Sequence, residues 1–599
     1  MAFVVLYMFR RLLVANRGEI AVRIMRACRD LGIESVAVYS DADAEAVHTR
    51  RADHAVRIGP ASAADSYLSI SAILAAARGS DCQAIHPGYG FLAENHTFAE
   101  ACARERLAFV GPPADVIARL GSKISARQLA AHAGIPVVPG ATPADQTDAT
   151  IAEAARRIGL PILIKPSEGG GGIGMKAVRD EASLMDAIAQ ARREAVAAFG
   201  DGTLYLERLI ERPRHIEIQI LADRHGHVVH LFERECSLQR RHQKVIEESP
   251  STALTPRLRA RMGEAAVALA REAGYESAGT VEFLLDGIGD EARFYFLEMN
   301  TRLQVEHPIT EETTGVDIVR TQIAIAAGEP LPWTQAELAQ RGHAIEARVY
   351  AEDPERNDLP QAGPLVRYRE PGMPGIRIDS GVAEGGAISV HYDPMIAKLI
   401  ATGDSRETAR LRAIAALGQY EIEGIRTNIP LLVALLEHPR FVSGDIDTNF
   451  IDRERAALMT SIAADPTSSA PDVDPWDALY GWRVLRSPEN GRPPIVRRPG
   501  PTAGPGVRRA GPAASGDPSS RGPADNDALS SPMPATVAAI EVKPGDQVAA
   551  GDLLLTLEAM KMEMPIRSPR DGRVKAVNCQ KGDLVQAGVP LVELDEPER

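Results

Sequence analysis

The sequence predicts a multidomain α/β protein with a doubly wound sheet at its N-terminus, further α/β domains behind it, a flexible linker, and an all-β module at its C-terminus. Three observations carry this expectation. Strand and helix patterns alternate from Leu12 onward, a stretch rich in Pro, Gly, Ser and Arg breaks them over about residues 487–530, and beyond it one short-strand pattern is written twice. A chain of 599 residues corresponds to about four domains. With 45% hydrophobic and 25% charged residues, it has the composition of ordinary globular protein. The formal charge of −14 argues against nucleic acid as the main partner. The five cysteines, Cys28, Cys82, Cys102, Cys236 and Cys579, have no C-x-x-C spacing. That argues against a disulfide framework or structural zinc and fits a reducing cytoplasm.

Residues Met1 to Phe9 are apolar but too short to span a bilayer, and they lack the charged n-region and cleavage site of a signal peptide, so no membrane association is expected. Met8-Phe9 sits just ahead of the first strand, so Met8 is the expected natural start and residues 1–7 an extension. Leu12-Leu13-Val14-Ala15 reads as a buried strand and Asn16-Arg17-Gly18 as a turn. Glu19 to Leu31 follows as a helix with Ile20, Ile24, Ala27 and Leu31 on one face, closed by Gly32. Val36-Ala37-Val38-Tyr39 returns as the second strand. The unit lacks G-x-G-x-x-G, which argues against a dinucleotide site. His86-Pro87-Gly88-Tyr89-Gly90 ends another strand and can be read simply as a tight turn.

Ile162-Leu163-Ile164-Lys165 is followed by Gly169-Gly170-Gly171-Gly172-Ile173-Gly174. Four consecutive glycines have a high entropic cost and no packing value, so they imply close approach of backbone to something, commonly phosphate. This is not a Walker A loop; a hairpin lid over ATP suits it, with a glycine linker as the plain alternative. Glu282 lies in one short β run, and Glu298 with Asn300 in another, where strand alternation puts the last two on one side. Carboxylates and an amide oxygen are hard ligands suited to Mg2+ bridging nucleotide phosphates, although acidic residues on strands can also be solvated edge positions. Arg302, Gln304 and Glu306 come next at alternate positions, a set able to hold a planar anion with the glutamate as base.

At the C-terminus, Ser531-Pro532 and Ser568-Pro569 open two matching segments at an offset of 37 residues. Val537 matches Val574, Gly545 matches Gly582, Val548 matches Val585, Gly551 matches Gly588, and Leu554 and Leu557 match Leu591 and Leu594. Each copy is too small to bury its apolar face alone, so the two are expected to pair about a pseudo-two-fold axis. Lys561, in Ala559-Met560-Lys561-Met562, then falls at a hairpin tip between them. A lysine flanked by methionines can be a simple exposed charge; the repeat around it singles it out. This segment resembles the biotinyl (biotin carboxyl carrier) domain, a flattened β barrel whose Ala-Met-Lys-Met turn carries biotin on the lysine, and Pro534 stands about where that family places a proline. Sister lipoyl domains usually lack the methionine on both sides, so biotin is the preferred attachment.

Asn16-Arg17-Gly18-Glu19-Ile20-Ala21, His86 to Phe91, Gln239-Arg240-Arg241-His242-Gln243-Lys244 and Glu298 through His307 resemble biotin carboxylase, an ATP-grasp family, over about residues 9–451. With the biotinyl segment, the chain is similar to the biotin-containing α subunits of bacterial acyl-CoA carboxylases. The resemblance implies an N-terminal domain over 1–121, an ATP-grasp domain over 122–335 with a Gly-rich lid at about 137–207, and a C-terminal α+β domain over 336–455. A short segment at 456–486, with Asp474-Pro475-Trp476 and Gly481-Trp482-Arg483, resembles the opening of a domain that docks on carboxyltransferase β subunits. The linker over 487–530 and the biotinyl domain over 531–599 complete the chain. The linker has an r.m.s. reach on the order of 35 Å, which keeps the tethered group near the millimolar scale at its site yet lets it leave.

The same resemblance implies roles residue by residue. Lys123, Lys165 and the loop Gly169, Gly170, Gly171, Gly172 and Gly174 bind ATP, as do Glu207, Leu209, His215, Gln239 and His242. Glu282, Glu298 and Asn300 hold Mg2+ or Mn2+, with two ions expected. Lys244, Arg302, Gln304 and Val305 form the bicarbonate site, Glu306 is the base that deprotonates bicarbonate, and Arg348 stabilises the biotin enolate. The family usually has Lys or Arg after the four glycines where this chain has Ile173, a change that bears on nucleotide affinity rather than reaction type. Cys236 reads as a buried, inert thiol near the site. No segment is left for a CoA site, so a separate carboxyltransferase β subunit and a biotin protein ligase acting on Lys561 are the expected partners, in a homodimer or hetero-oligomer. Two other readings stand beside this one: the ATP-dependent subunit of a pyruvate or other 2-oxo acid carboxylase, and a non-catalytic biotin carrier or scaffold.

Overall fold

The computed structural model describes residues 8–167, 174–241, 243–464, 528–559 and 562–595. Its N-terminal layer is a five-stranded, all-parallel sheet. The strands lie in the order His54–Gly59, Glu34–Ser40, Arg11–Val14, Ala84–His86 and Ala108–Phe109. Alternate residues of the first strand serve opposite faces, because Leu12 and Val14 join one core while Leu13 and Ala15 join another. The expected helix spans Gly18–Asp30. The order reverses between the strand Arg11–Val14 and the strand Ala84–His86, so the loops leaving their carboxyl ends meet. Asn16 Nδ2 donates there to Pro87 O at 2.7 Å and to Tyr89 O at 2.8 Å, which makes the His86–Gly90 turn a clamped one.

The next unit is an eight-stranded sheet. Arg293–Asn300, Ser277–Asp286, Arg214–Ala222, Val228–Arg240 and Gln243–Ser249 continue without a break into His343–Tyr350, Met395–Gly403 and Ile376–Ser380. The division expected at residue 335 therefore falls inside one hydrogen-bonded sheet, joined where Ile246 pairs with Ala347. The helix Pro256–Ala273 covers one end of it, and the helices Arg406–Leu417, Ile429–Glu437 and Phe450–Ala464 cover the other. The last helix corrects the boundary expected at residue 455, because Leu458 and Ile462, one turn apart, both pack in that core. The lid region is a separate four-stranded sheet, ordered Gly140–Ala141, Leu204–Arg208, Ile162–Pro166 and Lys176–Val178, backed by Asp148–Ile158 and Leu184–Phe199.

At the C-terminus two four-stranded sheets share one core. The two repeats exchange strands: Gln547–Val548 of the first pairs with Gly572–Val577 of the second, and Leu584–Val585 of the second pairs with Ala535–Ile540 of the first. Val537, Val548, Leu554 and Leu557 and their repeat mates Val574, Val585, Leu591 and Leu594 are all buried together. Gly545 and Gly582 share φ values of 98° and 94°, where a side chain would be strained. A strand at Ala528–Ser530 pairs with Pro590–Leu594, so the folded module begins inside the stretch expected to be linker. Its three residues sit at the edge of a Pro- and Gly-rich run, which hid them. The hairpin of Leu553–Ala559 and Met562–Arg567 is paired as far as Ala559 with Met562. Lys561 itself lies outside the described residues, as do Gly169, Gly170, Gly171, Gly172, Ile173, His242, the docking-like segment beyond residue 464 with both of its tryptophans, and the linker up to residue 527.

Candidate functional site

A cleft of about 710 Å³ opens between the lid sheet and the eight-stranded sheet. Lys123, Lys165, Glu207, Leu209, His215, Gln239, Lys244, Glu282, Glu298, Asn300, Arg302, Gln304, Val305, Glu306 and Arg348 all line it. Gly174 does not; it packs on Pro166, whose Cγ a Cβ would meet at 2.9 Å.

The cleft's polar floor follows from strand alternation. Along Arg214–Ala222, Ile216, Ile218 and Ile220 enter the apolar core, which leaves His215, Glu217 and Gln219 on the opposite face. Along Ser277–Asp286, Val281, Phe283 and Leu285 point to the core, while Glu282 and Leu284 line the cleft. Strict alternation after the buried Phe294 and Phe296 would send Glu298 and Asn300 into that core too. A bulge prevents it: Phe283 pairs with Phe296 but Glu282 pairs with Glu298, so Leu297 is the extra residue and Met299 takes the core position.

Five carboxylates and the cations among them fill this floor. Lys244 Nζ donates to Glu217 Oε2 at 2.6 Å, Glu282 Oε1 at 2.9 Å and Glu306 Oε1 at 2.6 Å. Glu282 Oε1 also accepts from Asn300 Nδ2 at 2.9 Å and Gln304 Nε2 at 2.8 Å. Beneath them the fully buried Arg234 donates to Glu217 Oε1 at 2.5 Å and to Gln304 Oε1 at 2.7 Å. Arg348 Nη2 donates to Glu306 Oε2 at 2.8 Å, and its Nε to Glu247 Oε1 at 2.5 Å. Burial pushes the Glu306 carboxyl up, but Lys244, Arg348 and Arg234 outweigh it and hold Glu306 well below the usual carboxylate range. Glu282 is likewise held low, against burial, by Lys244 and His215. Glu298 goes the other way, raised by burial and by Glu282 directly across the ladder.

The Glu282–Glu298 pair is the local test for a metal. Two like charges face each other across adjacent strands with Asn300 beside them, all offering hard oxygen donors, and Glu298 is biased toward its protonated form. A hard divalent cation fits this donor set.

Residues 301–306 form a loop rather than a strand, so Arg302, Gln304 and Glu306 converge because neighbours hold the loop from several sides. Glu94 accepts from Thr301 N at 3.1 Å and from Arg302 Nε at 2.8 Å. Arg302 Nη2 reaches Asn300 Oδ1 at 2.8 Å, and His307 Nδ1 is 2.7 Å from Gln304 O. Gln239 Nε2 lies 2.7 Å from His215 Nδ1. Across the cleft, Leu163 and Lys165 face inward while Ile162 and Ile164 build the lid core. Lys165 Nζ is 2.5 Å from Glu207 Oε2, and Arg127 takes the other oxygen of Glu207. The Glu207 carboxylate is thus occupied in anchoring Lys165. Val138, Leu163, Met175, Leu209, Leu284 and Leu297 give the cleft an apolar wall, a shape suited to a planar base. Cys236 is fully buried, and burial pushes its thiol up, in keeping with an inert group. Sequence reasoning missed Glu94, Glu217, Arg234, Glu247 and Lys398, which no local motif marks and which sheet pairing brings to the site.

Family models match most of the chain. Residues 8–117 match "Biotin carboxylase, N-terminal domain", 122–334 "Carbamoyl-phosphate synthase L chain, ATP binding domain", 346–453 "Biotin carboxylase C-terminal domain" and 527–594 "Biotin-requiring enzyme". The mitochondrial methylcrotonoyl-CoA carboxylase subunit alpha of Mus musculus is 40% identical over 98% of this chain and 93% of its own length. The chain belongs to the biotin-containing α subunits of acyl-CoA carboxylases. Like other members, the α subunit is an ATP-grasp ligase that uses ATP, Mg2+ and covalent biotin. The biotin carboxylase of Halalkalibacterium halodurans is 50% identical over 74% of the α subunit and 97% of that protein. Among solved structures, the biotin carboxylase domain dimer of Hydrogenobacter thermophilus 2-oxoglutarate carboxylase, in complex with MgADP, ADP and bicarbonate, aligns with a TM-score of 0.72 at 45% identity. It covers 75% of the α subunit and 99% of that chain. Biotin carboxylase from Campylobacter jejuni aligns with the same TM-score at 41% identity, over 74% of the α subunit and 99% of that chain. Among the described residues, no helix is long and apolar enough to cross a membrane.

Proposed function

We propose that the cleft carries out the ATP- and bicarbonate-dependent carboxylation of biotin with Glu306 as the base, and that the biotin it serves is attached to Lys561. One observation carries the assignment: two cations from separate strands, Lys244 and Arg348, each hold one oxygen of the same buried carboxylate beside an acidic pair fit for a metal. Bicarbonate is a weak, anionic nucleophile facing an anionic γ-phosphate, so the site must supply positive charge where water is excluded. Lys244 and Arg302 offer it to bicarbonate, with Gln304 and the Val305 backbone orienting the anion. Glu306, ionised, accepts the bicarbonate proton. Glu282, Glu298 and Asn300 hold the divalent ions, two of them, which when bound neutralise the nucleotide phosphates. Lys123, Lys165, His215, Gln239, His242 and the Gly169–Gly172 loop hold ATP, with Leu209 on the apolar wall. Arg348 serves the biotin ring.

Biotin protein ligase loads Lys561, and a carboxyltransferase β subunit receives the carboxyl group for an acyl-CoA such as the methylcrotonoyl-CoA named for the mouse relative. Five cysteines, all unpaired and buried, support a reducing compartment, the cytoplasm. The test is bicarbonate-dependent ADP release with free biotin, alongside transfer to an acyl-CoA panel by the copurified β subunit. E306Q should lose both activities, and K561A should lose only transfer from the tethered group. Transfer by K561A at the wild-type rate, or activity of E306Q, refutes the assignment.

A further inference from the structure

Lys398 is fully buried, on the strand Met395–Gly403. Its in-register neighbours are Arg348 on one side and Asp379 on the other. A buried ammonium costs several kcal/mol to desolvate, and the like charge of Arg348 across one side of the ladder works against the opposite charge of Asp379 across the other, so packing alone favours an apolar residue here. Something must specify the charge. Lys398 Nζ donates to Val305 O at 2.8 Å and lies 3.3 Å from Glu19 Oε1, on the first helix of the N-terminal layer. Glu19 also accepts from the hydroxyl of Tyr89, in the clamped turn. Arg348 and Lys398, cross-strand partners, therefore grip consecutive residues of one loop. Arg348 holds the side chain of Glu306, and Lys398 holds the main chain of Val305. The carbonyl of Val305 belongs to the peptide whose N–H is that of Glu306, so turning that peptide re-aims the carboxylate. Among the described residues, Lys398 also joins three parts of the molecule at this point: the N-terminal layer, the loop, and the far half of the large sheet.

Resting on the reading of Glu306 as base, we infer that Lys398 is a positioning residue for the bicarbonate step, fixing the Val305–Glu306 peptide so that the carboxylate stays between Lys244 and Arg348. The claim is directional: a single donor must reach one carbonyl, and positive charge by itself is insufficient. An arginine retains the charge but presents a planar fork.

The experiment compares full-length wild type, K398M, K398R and E306Q by bicarbonate-dependent ADP release with free biotin, and by MgADP affinity in calorimetry. K398M should lose at least about 30-fold and K398R at least about threefold in kcat/KM for bicarbonate, with MgADP affinity within about twofold of wild type. If K398M does not fold, K398R decides alone. Full activity in K398R, or a loss of MgADP affinity in proportion to the loss of rate, overturns the inference. An inactive E306Q beside a fully active K398M overturns it while sparing the reading of Glu306, whereas an active E306Q removes both.

Discussion

Arg348 Nη2 stands 2.8 Å from Glu306 Oε2, and Lys244 occupies the other oxygen, so the carboxylate assigned as base is held ionised and weakly basic in the resting protein. Basicity returns only if substrate draws one of these cations away. The acid limb of the pH profile should therefore lie at higher pH for kcat, which reports the substrate complex, than for kcat/KM of bicarbonate, which reports the free enzyme. Rates of ADP release across pH 5–9 check this, and coincident limbs contradict it.

Removing Arg348 leaves Glu247 and Glu306 buried without their shared partner. R348M should lower stability by about 3–5 kcal/mol in urea unfolding. R348K keeps one charge but not the two-pronged contact, and should retain most of the stability while kcat falls on the order of 100-fold.

Lys244 balances three carboxylates, Glu217, Glu282 and Glu306. K244Q should cost about 3–5 kcal/mol at pH 8. Without the lysine those groups bind protons more tightly folded than unfolded, so stability falls as pH rises and is partly regained on acidification. The deficit relative to wild type should shrink between pH 8 and pH 5.5 in denaturant melts.

Burial pushes Glu19 up to about 7, against the opposing pull of Lys398. Between its usual value of 4.5 and 7, the folded protein keeps a proton that the unfolded chain has released, so this group subtracts stability as pH rises. The slope is at most about 1.4 kcal/mol per pH unit. E19Q should remove it, leaving a flatter stability curve from pH 5 to 7.

Gly88 has a φ of 66°, and a Cβ there would sit 3.0 Å from Asn16 Nδ2 and 3.2 Å from Ile20 Cγ1. G88A should lower stability by about 1–2 kcal/mol, and N16A, which removes one buried and one half-buried hydrogen bond to the same turn, by about 1–3 kcal/mol. Thermal melts read both.

What was legible in the sequence was whatever repeats or sits in a local motif. The 37-residue offset paired Val537 with Val574 and Leu557 with Leu594, and those pairs share a core because each copy lacks one alone. Alternation put Glu298 and Asn300 on one side of their strand, but the bulge at Leu297 that turns that side toward Glu282 and the cleft left no signature. Glu217 and Lys244 lie 27 residues apart and touch only because their strands flank the strand Val228–Arg240 in one sheet. Lys398 is 93 residues from Val305 and looks like any lysine in an apolar strand. Non-local register decides such contacts, and no window of sequence contains it.

The unbroken eight-stranded sheet also governs how this protein can be cut or recombined. Severing the chain at residue 335 would strip Gln243–Ser249 of its neighbour His343–Tyr350, baring a row of unsatisfied amides and carbonyls from Ile246 to Ser249 that invites self-association. The nucleotide half and the half bearing Arg348 thus form one cooperative sheet, and a recombined chain should exchange both or neither.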